Sequence, residues 1–148
     1  MYQVDEYIIL ENNGVGKIIA KEGDIYQVQE YLTGKIQTAI SEDIVRRICT
    51  HDQIEEVIDR IEFTRTIQAP NTSLRKEFYA DAMKAYDELE WVKVIKTYYI
   101  QRKIKKAQPF EKKYAILAKE YLYSEISILL ELPFDKVEDY INMYIQNN

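Results

Sequence analysis

The sequence contains one cysteine, Cys49, and one histidine, His51, among its 148 residues. A single cysteine excludes a disulfide framework within the chain, and a zinc site would lack the soft ligands that this ion prefers. No apolar run approaches the ~20 residues that cross a bilayer, and the acidic first ten residues do not resemble a signal peptide. The sequence therefore predicts a cytoplasmic protein with no metal centre and no membrane association.

Glycine is also scarce, and all four glycines precede residue 35: Gly14, Gly16, Gly23 and Gly34. They fall between runs rich in Val, Ile and Tyr, which favour strands, and tight hairpins use glycine where φ is positive. Strands are predicted over residues 2–10, 15–20, 25–32 and 35–40. Three hairpins within forty residues predict a small antiparallel sheet, curled into a β-barrel of the SH3 or Tudor type.

The stretch Gly14-Val15-Gly16-Lys17 raises the question of a phosphate-binding loop. Such a loop has its first glycine five residues before a Gly-Lys pair, which Ser or Thr and then a helix follow. Here Gly14 is only two residues before Gly16, Ile18 follows Lys17, and the next segment is a predicted strand. Because no helix N-terminus supplies amides for phosphate, the stretch is predicted to be a hairpin turn.

Beyond residue 40 the chain has no glycine, and the apolar residues recur with a helical period. Residues 50–53 form a capping-box pattern, which predicts a helix with four residues facing a core: Ile54, Val57, Ile58 and Ile61. Pro70 interrupts the helical pattern. Further helices are predicted over residues 74–86, from Trp91 to residue 106 with Trp91 in the core, from Pro109, and from about residue 135.

The expected fold is therefore α+β, with the small β-barrel over residues 1–47 and an α-helical bundle over residues 48–148. A boundary at the break of residues 68–73 is the alternative.

Charge divides unevenly along this chain. Residues 92–113 carry eight lysines and arginines against Glu111 alone, a net charge of +7, whereas the whole chain carries −5. A basic region on an acidic body can steer an anionic partner.

No set of side chains in the sequence predicts catalysis. His51 stands alone beside a helix cap, and Cys49 would need a partner that lowers its pKa. Enzyme function is therefore disfavoured, and no cofactor or small-molecule substrate is expected, although a small enzyme with an unrecognised site is an alternative.

Three stretches together resemble the CarD-like family of bacterial transcription regulators. They are YQVDEYIILENNGVGKI (2–18), WVKVIKTYYIQRK (91–103) and FEKKYAILAKEYLYSEISILLELPFDKVEDYI (110–141). The segment 44–61 resembles the part of these proteins that joins barrel to bundle. Their barrel is similar to the polymerase-interacting domain of transcription-repair coupling factors.

The resemblance implies that the barrel binds the RNA polymerase β subunit and that the bundle contacts upstream promoter DNA weakly and without sequence specificity. A tryptophan of the family wedges into the minor groove and favours the open complex. Here its position falls near residues 72–74, where no tryptophan stands, and Leu74 is the one candidate for a weak wedge. A shorter second hairpin and the loss of a Tyr-Pro-x-His motif are further departures.

The resemblance and the predicted sheet edge suggest two sets of site residues. The polymerase-facing set, acting by strand addition, is Lys17, Lys35, Ile36, Gln37 and Thr38. The DNA-facing set is Leu74, Arg75, Lys76, Lys112 and Lys113. The alternative is a protein-interaction module of the same fold that has lost DNA binding.

Overall fold

The computed structural model describes residues 1–146, and the protein is α+β. It comprises two compact units, Met1–Thr50 and His51–Asn148. The first holds all the strands of the described chain and the second holds its α-helices. The sequence-based boundary after residue 47 lies three residues before this division. We call the two units the β unit and the helical unit.

The β unit is a five-stranded antiparallel sheet with the order β4-β3-β2-β1-β5. Its strands are β1 (Tyr7–Leu10), β2 (Gly14–Glu22), β3 (Ile25–Glu30), β4 (Ile36–Ile40) and β5 (Ile44–Arg47). The three predicted hairpins are confirmed. Strand β5 was not predicted: it follows a short 3-10 turn, Ser41–Asp43, and pairs with β1.

One face of this sheet forms the core of the β unit, with Ile8, Leu10, Ile18, Tyr26, Val28, Ala39 and Ile44 packed together. The prediction that every glycine lies between strands is wrong for Gly14 and Gly16, which are the first and third residues of β2. A Cβ atom at Gly16 would stand 2.4 Å from Cγ1 of Val28, so the close approach of β2 and β3 requires glycine. Gly14, with φ +84°, has the positive φ that a hairpin turn uses.

The first six residues are held against β5 although they form no strand. The Arg47 guanidinium donates hydrogen bonds to the Glu6 carboxylate and to the carbonyl oxygen of Met1. It also lies 4.8 Å from the centroid of the Tyr2 ring. The hydrogen bond from Arg47 lowers the pKa of Glu6 and so favours its ionised form.

The helical unit contains five helices: α1 (His51–Ile61), α2 (Thr72–Lys84), α3 (Glu88–Lys103), α4 (Pro109–Leu129) and α5 (Phe134–Gln146). The predicted inward face of α1 is confirmed, since Ile54, Val57, Ile58 and Ile61 are all buried. The predicted start of a helix at Pro109 is also confirmed. No helix within residues 1–146 combines the length and apolar composition that a bilayer crossing requires.

The core of the helical unit contains a stack of Trp91 on an aromatic neighbour and a buried lysine. Trp91 is fully buried and stacks on Tyr121 with ring centroids 5.2 Å apart, as the core prediction for Trp91 required. Lys96 is also buried, and its ammonium donates to the carbonyl oxygens of Ile61 at 2.6 Å and Thr64 at 2.5 Å. Burial lowers the pKa of Lys96. This side chain therefore satisfies carbonyl groups at the end of α1.

Candidate functional surfaces

Strand β4 is an edge of the sheet, and the pattern of its hydrogen bonds with β3 decides which of its backbone groups face outward. The amide of Glu30 donates to the carbonyl oxygen of Lys35 at 2.8 Å. In an antiparallel pair, hydrogen-bonded positions recur at every second residue. Ile36 and Thr38 fall between these positions, so their N–H and C=O groups point away from β3. The edge therefore presents two successive residues to which another strand can pair.

The solvent-facing side of the β3–β4 pair carries three exposed isoleucines beside two glutamines and a threonine. Ile25, Ile36 and Ile40 are 49%, 58% and 44% exposed, and the register sets Ile25 directly opposite Ile40. Lys17 of β2 pairs with Gln29 of β3, which in turn pairs with Ile36. Lys17 and Ile36 therefore lie in one row on the same face of the sheet, as a shared docking surface requires.

The remaining members of the predicted polymerase-facing set divide between the two faces. Thr38 lies on the same face as Ile36, and its hydroxyl donates to Gln27 Oε1 at 3.3 Å. Gln37 points to the opposite face, where its Nε2 donates to Glu30 Oε2 at 2.9 Å. Lys35 is exposed just before β4, and no residue of the described chain forms an ion pair with it. A partner on the exposed face would thus meet Lys17, Ile36 and Thr38, whereas Lys35 and Gln37 alternate with these residues and lie on the opposite face.

The five predicted DNA-facing residues meet at one end of the helical unit, where the first turns of α2 and α4 lie together. Arg75 Nη1 lies 3.6 Å from Glu111 Oε1, and Lys76 Nζ lies 6.0 Å from the centroid of the Phe110 ring. The next two residues of α4, Lys112 and Lys113, are exposed, and Leu74 is half-buried in α2.

Arg75 differs from the lysines around it because its charge is balanced. Glu111 is fully buried. Its carboxylate accepts hydrogen bonds from the Tyr79 hydroxyl at 2.8 Å and from the backbone N–H of Gln108 at 3.0 Å. Burial and the hydrogen bond to Glu111 raise the pKa of Tyr79, so its hydroxyl remains a donor. Arg75 and Tyr79 together compensate the buried Glu111 charge and fix α2 against α4.

The same end of the unit carries cations that the predicted set omitted. Helix α3 ends there, and the exposed residues that close it and lead into α4 are basic. We use the term cationic end for the exposed lysines and arginine at this place: Lys76, Arg102, Lys103, Lys105, Lys106, Lys112 and Lys113. None of them has an ion-pair partner within the described chain. All of them except Lys76 lie in the basic run of residues 92–113, which is the sequence feature that could have identified them.

The two helices that begin at the cationic end strengthen its positive potential. The N-terminus of an α-helix carries a positive partial charge, and both α2 and α4 start here. At α2 the Asn71 side chain already accepts the Leu74 amide at 2.8 Å. The basic side chains and the two helix N-termini together produce a positive potential at this end of the helical unit.

The comparisons with protein-family models and curated proteins identify no relative of this chain. A scan of the sequence against protein-family models finds no match, and a search of curated proteins finds no similar sequence. Arguments about function therefore depend on the two surfaces described above.

Proposed function

We propose that this chain is a transcription regulator of the CarD-like type, which binds the β subunit of RNA polymerase through strand β4 and places its cationic end near upstream promoter DNA. The observation that carries the proposal is the open β4 edge. Strand addition requires outward-facing N–H and C=O groups beside an exposed face, and Ile36 and Thr38 supply both. The proposal describes a binding protein, with no catalytic step and no cofactor.

Side chains on the exposed face would give this docking its specificity. Strand addition supplies main-chain hydrogen bonds that any sequence can form, so discrimination comes from the side chains beside the new strand. Ile36 and Ile40 present apolar surface. We expect the polymerase strand to have apolar residues at alternate positions.

The DNA contact in this proposal is electrostatic and independent of sequence. Each lysine that neutralises a phosphate releases counterions, and phosphate contacts position a protein without reading bases. The six lysines of the cationic end would make these contacts. Arg75 acts instead through the buried Glu111 carboxylate, by holding α2 in place.

We also propose that the sheet of the β unit is curled into a Tudor-like barrel. Its register shifts between Ile18 and Ala20 on β2 and between Ile9 and Leu10 on β1. Such bulges increase local twist and bend a strand. They support a curled sheet with β4 and β5 as its two ends.

A specific observation favours the alternative of an interaction module without DNA binding. The single tryptophan is fully buried, and Leu74, the apolar residue at the wedge position, is half-buried. Wedging would therefore be weak, because an intercalating side chain must project to unstack a base step. Under this alternative the β4 edge still binds its partner, and the cationic end has no effect on promoter DNA.

Gel mobility and lifetime of polymerase–promoter complexes separate the two functions. The test variant is Lys112→Glu with Lys113→Glu. The matched control is Lys84→Glu with Lys136→Glu, which makes the same change of charge at exposed lysines outside the cationic end. The proposal predicts that only the test variant abolishes the protein's effect on the complexes and weakens its salt dependence. An unchanged effect in the test variant supports the interaction module instead.

A further inference from the structure

A cleft on the helical unit, distinct from the cationic end's lysines and from the β4 edge, lies between α3, α4 and α5. Its volume is ≈ 140 Å³, close to the ~150 Å³ of an apolar protein cavity that holds benzene. Two half-buried tyrosines of α3, Tyr98 and Tyr99, form part of its wall. A compact ligand of about ten non-hydrogen atoms matches this size.

The charged groups of the cleft leave one positive charge uncompensated. Lys119 Nζ lies 2.8 Å from Glu138 Oε1, so these two residues neutralise each other. Arg102, in the last turn of α3, also lines the cleft and has no ion-pair partner within the described chain. The cleft therefore has a net charge of +1 and a guanidinium whose planar donors suit a carboxylate.

Tyr123 of α4 closes the cleft from the interior. It lines the cleft and is only 3% exposed. Its hydroxyl oxygen is enclosed, so the aromatic ring rather than the hydroxyl meets a ligand. Tyr123 therefore adds to the aromatic wall that Tyr98 and Tyr99 begin.

We propose that this cleft binds a small monocarboxylate with a compact aromatic body. The carboxylate pairs with Arg102 and the aromatic body lies against Tyr98 and Tyr99. The uncompensated guanidinium selects an anion, and its single charge selects a monoanion over a phosphate or a dicarboxylate.

The test uses benzoate and its neutral isostere benzamide as probes, with binding to the full chain followed by NMR chemical-shift titration. We expect benzoate to bind with a Kd of about 1 mM or lower, and benzamide at least about tenfold more weakly. Arg102→Gln should weaken benzoate at least about tenfold, whereas its neighbour Lys103→Gln, which makes the same charge change outside the cleft, should not. Absence of benzoate binding at about 10 mM, or equal affinity for benzamide, overturns the proposal.

Discussion

The Tyr79 hydroxyl lies 2.8 Å from Oε2 of Glu111, and both residues are fully buried where α2 meets α4. Tyr79→Phe removes this donor and leaves the buried carboxylate with one partner fewer. We expect the free energy of unfolding of the helical unit to fall by about 1–3 kcal/mol. Urea unfolding followed by fluorescence of Trp91, the one tryptophan of the chain, measures it. Tyr140→Phe, at an exposed tyrosine of α5, is the control and should change stability by less than about 0.5 kcal/mol.

Glu111→Ala should be more damaging than Tyr79→Phe. It leaves both the Arg75 charge and the Tyr79 hydroxyl without their shared acceptor, and breaking a buried charge pair costs about 3–5 kcal/mol. The same unfolding measurement applies. A loss below about 1 kcal/mol would mean that the pair does not hold α2 against α4.

Lys96 should stabilise the end of α1 through hydrogen bonds, although its burial is costly in itself. Lys96→Met keeps the length of the side chain but removes the ammonium that donates to the carbonyl oxygens of Ile61 and Thr64. The Ile61 carbonyl then keeps the Thr64 backbone amide as a donor. We expect a loss of about 2 kcal/mol and faster amide hydrogen exchange in the last turn of α1. Exchange at wild-type rates there would show that these carbonyl groups find other donors.

Gly16→Ala tests the close approach of β2 and β3. The added methyl group would stand 2.4 Å from Cγ1 of Val28, so the sheet must shift, at a cost of about 1–3 kcal/mol. Thermal unfolding followed by β-sheet circular dichroism should show the loss. Gly23→Asn is the matched control, since φ at Gly23 is +60° and asparagine tolerates that region. Equal stabilities of the two variants would be inconsistent with the steric explanation.

Acid should weaken the attachment of the first six residues to β5. The pKa of Glu6 is lower in the folded protein than its reference value of 4.5, chiefly because Arg47 hydrogen-bonds the carboxylate. A carboxyl group whose pKa is lower in the folded state stabilises the fold at pH values above its unfolded-state pKa. That stabilisation is lost as the pH falls through its folded-state pKa. Glu6→Gln should therefore flatten the decline in stability of the β unit between about pH 6 and pH 3. An identical decline in both proteins would contradict this linkage.

The sequence predicts the secondary structure where turn chemistry and apolar period agree. The hairpin glycines, the inward face of α1 and the start at Pro109 follow from local rules, and the structure contains each of them. Strand β5 escaped prediction because it is only four residues long, and its pairing with β1 is a tertiary contact that no local pattern signals. Gly16 was assigned to a turn for a related reason, since only the fold reveals Val28 beside it.

The candidate surfaces were predictable to different degrees. Charge runs identify cations but not their partners: the sequence cannot show that Arg75 lies against a buried Glu111 while Lys112 beside that glutamate is exposed. Likewise, the alternation along β4 that separates Gln37 from Ile36 and Thr38 depends on register. The cleft of α3, α4 and α5 was invisible to sequence, because its lining residues come from three helices whose packing no periodicity specifies.

The most direct test of the central claim measures the affinity of the protein for the purified β subunit of RNA polymerase, with wild type, Thr38→Pro and Thr38→Val compared by calorimetry. Proline removes an N–H that faces away from β3, so it should leave the sheet paired, and valine retains that N–H with a similar side chain. We predict that Thr38→Pro weakens binding at least about tenfold, as expected for lost main-chain hydrogen bonds, and that Thr38→Val binds as the wild type does. Undiminished binding by a folded Thr38→Pro variant, or no binding by the wild type, would contradict the account.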